Sequence, residues 1–382
     1  MCNPCLDEYF VNFDTLDAMM DYHGALTRGT QWLRAPVKSL RVMPLEKTPP
    51  LFIDRSLFDF DVSEEAIADT AARLGLAIRT DDNPYYRPLR DTAWRSLLDR
   101  AKISGTALPK LSREDLANII NTCLALFGND ALLLIRHEKV AAVHSGDTRD
   151  YSILPIDALL SYLKDGLEAR FWGAEFERGY TDHATTSASF MLPGQRDDLL
   201  ATYAKTLESH GKSALADALM PGIRFTTSDV GFSSAKISAL LYGLELPFSI
   251  GGVMAVEHRW EKKPDEFANA IEQAFAQFGN VIARLEELEN VYLEYPVNAM
   301  IAIAKRLSLP KKAAMEAVSM FEMTCGPTAT AHDVFMALQE VLFLLKTEHA
   351  PQAKLLTVEE TLARALTLPW TEFDLAKVEG YC

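Results

Sequence analysis

The stretch Pro221–Trp260 decides the interpretation of this chain; it reads PGIRFTTSDVGFSSAKISALLYGLELPFSIGGVMAVEHRW. In its first part, the apolar residues Ile223 and Phe225 lie on either side of the polar residue Arg224. This period of two is typical of a strand with one buried face. The Ser-Asp-Val-Gly run that follows has the composition of a turn. The first part therefore predicts a strand that ends in a turn.

The remainder of the same stretch predicts a helix and then a second strand. Residues 234–242 favour a short helix, and the apolar run 247–256 favours a strand. Gly251 and Gly252 lie within that run, and paired glycines in a strand indicate a bulge or a close approach by a backbone or ligand. The run ends in the polar cluster Glu-His-Arg-Trp. Two strands that both end in polar clusters predict a site at their shared edge.

The residues upstream of this stretch add two hairpins and two helices to the prediction. These elements are a hairpin over residues 131–143, a helix over 154–167, a hairpin over 168–192 and a helix over 196–210. Helical patterns dominate after residue 263. We therefore expect an α+β fold with a central mixed or antiparallel sheet and inserted helices, followed by a helical C-terminal part.

Length and local composition predict more than one structural region. A chain of 382 residues exceeds the usual size of one hydrophobic core. The prolines among the first 55 residues argue against regular structure there. We expect an N-terminal arm and helical region over 1–125, a central α+β sheet domain over 126–262 and a helical C-terminal region over 263–382.

Composition and charge restrict the classes of function. Hydrophobic residues make up 48% of the chain, charged residues 24%, and the formal net charge is −15. The sequence has no apolar run of the ~20 residues that span a bilayer, so we expect no membrane partner. Five cysteines and the absence of a secretory pattern predict free thiols in the cytoplasm. The negative charge opposes non-specific attraction to nucleic acid, but it does not exclude a local basic surface.

One local stretch is basic although the whole chain is acidic. It contains an aromatic residue on which a base could stack and cations that could neutralise phosphates. The candidate nucleic-acid-binding residues are Arg28, Trp32, Arg34, Lys38 and Arg41, and the same stretch includes Lys47. An alternative interpretation is an irregular arm that packs its apolar side chains on a neighbouring surface, while its cations pair with the acidic C-terminal helices.

Other short motifs predict little chemistry. Cys2 and Cys5 form a CxxC pair without the second pair that a zinc site needs, so we expect no metal there. Ser233 and Lys236 have SxxK spacing but lack the companion motifs of penicillin-binding enzymes, and a helix cap is the simpler interpretation. Neighbouring acids such as the cluster 286–289 are interpreted as a solvated helix face. The chain has no Walker or dinucleotide loop, so no cofactor is expected.

Several segments together resemble a known family. They read LLLIRHEKVAAVHSGDTRDYSILP, then LLSYL, then GIRFTTSDVGFSSAKI, and later GPTATAHDVFMALQEVLFLL. This order resembles the phage/plasmid-like proteins of domain of unknown function 932 over roughly residues 130–350. Tyr151, Ser228–Gly231 and Thr330–Glu340 fall at the family's short motifs, whereas the strand over 247–256 lacks its Arg-x-x-Cys-x-Asn pattern. The resemblance implies a phage or mobile-element origin and no established activity.

Three functions remain open at this point. The first is a nucleic-acid-handling protein, such as a recombination or annealing accessory, that binds single strands. The second is an acidic interaction protein that binds or inhibits a host factor in the host cytoplasm. The third is an enzyme whose site uses Asp229, His258 and Arg259, because a carboxylate, an imidazole and a guanidinium that converge can do acid–base work. A homo-oligomer remains open for each of them.

Overall fold

The computed structural model describes residues 3–45, 53–243, 246–326 and 329–378. Within these ranges the chain forms strands from its N-terminal segment to the first part of its C-terminal region. The strands are β1 (Phe10–Phe13), β2 (Gln31–Pro36), β3 (Leu40–Pro44), β4 (Leu76–Thr80), β5 (Arg87–Pro88), β6 (Asp130–Arg136), β7 (Lys139–Ser145), β8 (Glu175–Asp182), β9 (Thr186–Met191), β10 (Met220–Thr227), β11 (Ala235–Tyr242), β12 (Phe248–Val256), β13 (Tyr292–Leu293) and β14 (Ala329–Thr330).

The helices are inserted between hairpins and then follow one another in the C-terminal region. They are α1 (Leu16–Gly29), α2 (Glu64–Ala72), α3 (Ala93–Ala101), α4 (Arg113–Leu124), α5 (Ile156–Arg170), α6 (Arg196–Ser209), α7 (Ser213–Ala218), α8 (Pro264–Glu287), α9 (Pro296–Arg306), α10 (Lys311–Thr324), α11 (Ala331–Leu338), α12 (Glu340–Thr347) and α13 (Gln352–Ala363). Among the described residues, every helix is too short or too polar to cross a lipid bilayer.

The strands form one large antiparallel sheet and three smaller ones. The large sheet has the order β1-β8-β9-β10-β11-β12, and the smaller sheets are β2-β6-β7, β3-β4-β5 and β13-β14. The α+β class with inserted helices and a helical C-terminal part is therefore confirmed. The first predicted hairpin, β6–β7, lies in its own three-stranded sheet instead of the large one.

Both faces of the large sheet are covered at its centre. Phe225 of β10 packs edge-to-face on Phe267 of α8, with ring centroids 5.5 Å apart. The neighbouring Arg224 points to the opposite face, where it is buried and paired with Glu359 of α13. Because successive side chains of a strand alternate between faces, β10 is buried over nearly its whole length.

The helix predicted over residues 234–242 is wrong, because these residues form strand β11. Ala, Leu and Tyr in this segment are compatible with a helix, but β11 is a central strand that pairs with β10 on one side and β12 on the other. Tertiary pairing overrides weak local propensity here. The interpretation of the SxxK spacing as a helix cap is wrong for the same reason, since Lys236 lies on a strand and pairs with Glu360. The glycine prediction is confirmed: β12 has register shifts, and Gly251 has a φ of +131°.

The expectation of irregular structure over the first 55 residues is also wrong. β1 adds to the large sheet beside β8, and β2 pairs along its full length with β6. Pro36 and Pro44 lie at the last positions of β2 and β3, where a missing N–H group costs least. The prediction of a boundary near residue 125 stays a prediction, and strand pairing joins the two sides of it.

A buried network of charged groups attaches the N-terminal segment to the rest of the chain. Asp7 Oδ1 lies 3.2 Å from Arg90 Nη1 and 2.8 Å from Lys139 Nζ. Lys139 also pairs with Asp69. The side chains of Arg90 and Lys139 are fully buried. We call these four residues the buried network. It joins the N-terminal segment, α2, the start of α3 and β7.

Candidate functional site

A polar cleft lies where the three-stranded sheet β2-β6-β7 meets the edge of the large sheet. β10 and β12 both run antiparallel to β11, so their C-terminal ends lie at the same edge, as the sequence predicts. The main chain of Ser152 donates to the carbonyl oxygen of His258 at 2.8 Å and ties the two sheets together there. The cleft encloses about 570 Å³. Ligand sites typically have volumes of roughly 300–1,000 Å³.

Three arginines from two distant parts of the chain line this cleft, and we call it the arginine cleft. Arg95 and Arg100 come from α3, and Arg259 follows β12. Helix α3 packs Leu97 against β7, which leaves Arg95 exposed on the outer side. Arg100 is buried against the cleft and pairs with its neighbour Asp99. Guanidinium groups and carboxylates lie side by side in this cleft, since its lining also includes Asp99, Asp150 and Glu257.

One wall of the arginine cleft is a stack of three rings. The His144 and Tyr151 rings are parallel, with centroids 3.6 Å apart, and the His258 ring continues the stack at 5.7 Å from Tyr151. The carbonyl oxygen of Asp229 accepts hydrogen bonds from His144 Nε2 at 2.8 Å and from the Tyr151 hydroxyl at 2.7 Å. Because a carbonyl only accepts, His144 carries its proton on Nε2. These bonds fix the wall in one arrangement.

Asp229 does not present its carboxylate to the arginine cleft. The carboxylate pairs with Arg136 and lines a neighbouring cavity of about 170 Å³. Burial alone would raise the pKa of Asp229, but the charge of Arg136 outweighs burial and the pKa is lowered. The structure therefore separates the three predicted catalytic residues. His258 and Arg259 line the arginine cleft, whereas Asp229 contributes its carbonyl oxygen to the cleft wall.

His258 and Arg100 each keep an unused polar atom at the arginine cleft. His258 Nε2 lies 3.3 Å from Thr227 Oγ1, while its Nδ1 is buried without a hydrogen-bond partner among the described residues. Arg100 Nε is likewise buried without a hydrogen-bond partner among the described residues. Burial lowers the pKa of His258, so its imidazole is neutral at pH 7. Buried polar atoms are nearly always paired, and unpaired ones call for an explanation such as a ligand.

One exposed aromatic ring lines the arginine cleft, and a second follows a cleft residue in the chain. Phe232, in the turn after β10, is 51% exposed, and Trp260, next to Arg259, is 68% exposed. The Phe232 main chain donates to Ser228 Oγ at 3.0 Å, and the Trp260 main chain donates to the Arg149 carbonyl at 3.1 Å. A hydrogen bond therefore anchors the main chain at each of these two residues.

The structure distributes the five predicted nucleic-acid-binding residues over separate environments. Arg34 contacts the carbonyl oxygen of Gly146 and lies 3.7 Å from Asp130, and Arg41 pairs with Asp81 at 3.0 Å. These guanidinium groups already have protein partners. Arg28 and Lys38 are exposed at the end of α1 and after β2. Lys47 lies outside the described residues.

Trp32 differs from the other four, because it is half-buried behind the ring stack. Its ring centroid lies 6.1 Å from that of His144 and 6.0 Å from that of Tyr151. The ring supports the wall of the arginine cleft from the side of β2 and lines the neighbouring cavity that contains Asp229. The basic stretch is therefore next to the cleft, but it does not form one surface.

A second group of functional side chains lies in the C-terminal region. Among the described residues, Glu289, His332 and Asp333 form the one group of His, Cys, Asp and Glu that could hold a metal ion. The interpretation of Glu289 as part of a solvated acidic face is wrong, because its side chain is fully buried. Cys5 is buried, and Cys2 lies outside the described residues.

Comparisons of this chain with protein-family models, with curated proteins and with solved structures find no match. The resemblance to the proteins of domain of unknown function 932 therefore stays a prediction.

Proposed function

We propose that this protein handles nucleic acid by binding single strands at the arginine cleft. The observation that carries this proposal is the convergence of Arg95, Arg100 and Arg259 in one concave site that the exposed ring of Phe232 also lines, with the exposed Trp260 directly after Arg259 in the chain. Proteins that bind single strands without sequence preference combine cations along the backbone path with rings on which bases stack.

The existing partners of the arginines favour the arginine cleft over the basic stretch as the place where phosphate binds. Arg34 and Arg41 would have to give up protein partners in order to contact phosphate. Arg95 and Arg259 are exposed, and Arg259 lies 3.9 Å from its nearest acid, Glu257. The cost of exchanging partners is therefore lower in the cleft. A phage or mobile-element origin, as the family resemblance implies, agrees with this function.

The test is binding of a fluorescent single-stranded oligonucleotide across a salt series. We expect the Arg95→Glu, Arg259→Glu variant to bind at least about tenfold more weakly at low salt. Its salt slope should be shallower by about 0.7 for each phosphate that the variant no longer neutralises. The matched control is the Arg284→Glu, Arg364→Glu variant, which changes charge equally at a different cavity. Equal weakening by both variants, or no binding by the wild type, would remove this function and favour the acidic interaction protein.

A specific observation also favours acid–base catalysis in the same cleft. His258 is neutral and has an unpartnered Nδ1, and the guanidinium of Arg259 lies on the adjacent residue. A neutral imidazole can take a proton from an attacking water, and a guanidinium can stabilise the charge that develops on a phosphate. Incubation of an end-labelled strand with wild type and His258→Gln tests this. Cleavage by the wild type alone would support catalysis, and an intact strand in both samples would exclude it.

A further inference from the structure

Three side chains converge at the N-terminal end of α11, away from the arginine cleft. Glu289 follows α8, and His332 and Asp333 occupy the first turn of α11. One carboxylate oxygen from each acid and one ring nitrogen of His332 lie within 4.8 Å of one another. We call these three residues the Glu–His–Asp cluster. An imidazole with two carboxylates is a common ligand set for divalent transition metals.

The Glu–His–Asp cluster contains a buried ring nitrogen without a hydrogen-bond partner among the described residues. The side chains of Glu289 and His332 are 0% and 1% exposed. Glu289 Oε1 is in contact with the Lys212 ammonium group, whereas His332 Nδ1 has no hydrogen-bond partner among the described residues. His332 Nδ1 lies 3.1 Å from Glu289 Oε2 without the geometry of a hydrogen bond. Two electron-rich atoms this close in the interior require a cation or a proton between them.

The only cation in contact with the cluster among the described residues is the Lys212 ammonium group. It lies 2.6 Å from Asp333 Oδ1 and also contacts Glu289. One ammonium faces two carboxylates, so a net negative charge remains in a largely buried place. Uncompensated buried charge is costly, and a divalent ion would neutralise both acids.

The surroundings of the cluster are suited to metal binding. His332 Nε2 lies 2.6 Å from the Tyr203 hydroxyl, which orients the ring with Nδ1 toward Glu289. Metal-binding histidines usually have such a partner on their other nitrogen. The side chains of Lys212 and Asp333 are 23% and 33% exposed, so the cluster opens to solvent on that side. Lys212 can turn outward through this opening when a metal ion enters.

We propose that Glu289, His332 Nδ1 and Asp333 form a binding site for one divalent transition-metal ion of the zinc class, with Lys212 as the resident cation that the metal displaces. The site lies apart from the arginine cleft, and this proposal does not depend on the proposed nucleic-acid function. Three protein ligands leave further coordination positions for water.

The test is titration of tag-free, metal-stripped protein with Co²⁺, followed by competition with Zn²⁺. Co²⁺ bound to nitrogen and oxygen ligands of a protein gives a visible absorption band. We expect one band-forming site per chain in the wild type. Lys212→Met should bind Co²⁺ at least about tenfold more tightly, because the competing ammonium is gone, and Asp333→Asn should bind it at least about tenfold more weakly. The control Lys205→Met removes an exposed lysine of α6 and should match the wild type.

Other outcomes would overturn the proposal. Absence of the band in the wild type, including the case in which only Lys212→Met binds, would show that the native cluster is an ion-pair cluster. Equal affinity of Asp333→Asn and wild type would place the metal elsewhere. Loss of binding in Cys5→Ser would assign the metal to the N-terminal cysteines instead.

Discussion

The buried network and the arginine cleft hold cationic side chains under opposite conditions. In the buried network, Arg90 and Lys139 are fully buried and directly paired with Asp7. In the arginine cleft, Arg95 and Arg259 are exposed. Charges that are buried and paired contribute to the structure, since removal of one partner leaves the other uncompensated. Charges that are exposed at a concave surface remain free for a ligand.

The largest effect that this comparison predicts is on stability. Lys139→Met removes the ammonium between Asp7 and Asp69 and leaves both acids with less compensation in the interior. We expect the free energy of unfolding to fall by about 3 kcal/mol, as for other broken buried pairs. Urea denaturation measures this change. A loss below about 1 kcal/mol would show that the network contributes little.

The second prediction concerns the pH dependence of stability next to the buried network. Burial, with a further contribution from Arg90, lowers the pKa of His183 to about 2, and its Nε2 donates to the carbonyl oxygen of Leu6. The unfolded chain takes up a proton on this histidine near pH 6.5, while the folded chain does not. Stability therefore falls as the pH falls below 6.5, by about 2 kcal/mol for this one histidine between pH 6.5 and pH 5.

Urea denaturation of wild type and His183→Gln at several pH values checks this sign and size. We expect the variant to lose less stability than the wild type over the same pH range. Identical pH dependence in the two proteins would contradict the assignment of a neutral, buried imidazole at this position.

The smallest predicted effect is on the stability of variants in the arginine cleft. Arg95 and Arg259 are exposed, and the one ion pair of Arg259, with Glu257 at 3.9 Å, is exposed too, so Arg95→Glu and Arg259→Glu should each change the free energy of unfolding by no more than about 0.5 kcal/mol. Thermal and urea denaturation of both variants measure this change. A loss similar to that of Lys139→Met would mean that these arginines are structural, and the contrast between the two regions would disappear.

Much of the fold was predictable because its elements have strong local patterns. The strands β10 and β12, the hairpin β6–β7 and the C-terminal helices follow from alternation, turns and capping residues. β11 was not predictable in this way, because its identity as a strand depends on two neighbouring strands that pair with it. The same holds for β2, whose partner β6 lies about a hundred residues further along the chain.

The candidate site was only partly predictable, because strand ends are visible in a sequence and side-chain directions are not. His258 and Arg259 lie at the predicted edge. Asp229 also lies at this edge, but its carboxylate pairs with Arg136 on the other side of the cleft wall. Arg95 and Arg100 were missed, since nothing in their local sequence indicates that α3 lines the same cleft as the residues after β12. The Glu–His–Asp cluster was missed for the same reason, as its members join only through packing.

The most direct test of the central claim is to locate a bound strand by photo-cross-linking. An oligonucleotide that contains 5-iodouracil forms cross-links to aromatic side chains in contact with its bases, and mass spectrometry identifies the modified peptides. Binding at the arginine cleft predicts cross-links at Phe232, an exposed ring of its lining, or at Trp260, the exposed ring that follows Arg259. Cross-links at Trp32 without either of these, or a bound strand that cross-links only outside the cleft, would contradict the account.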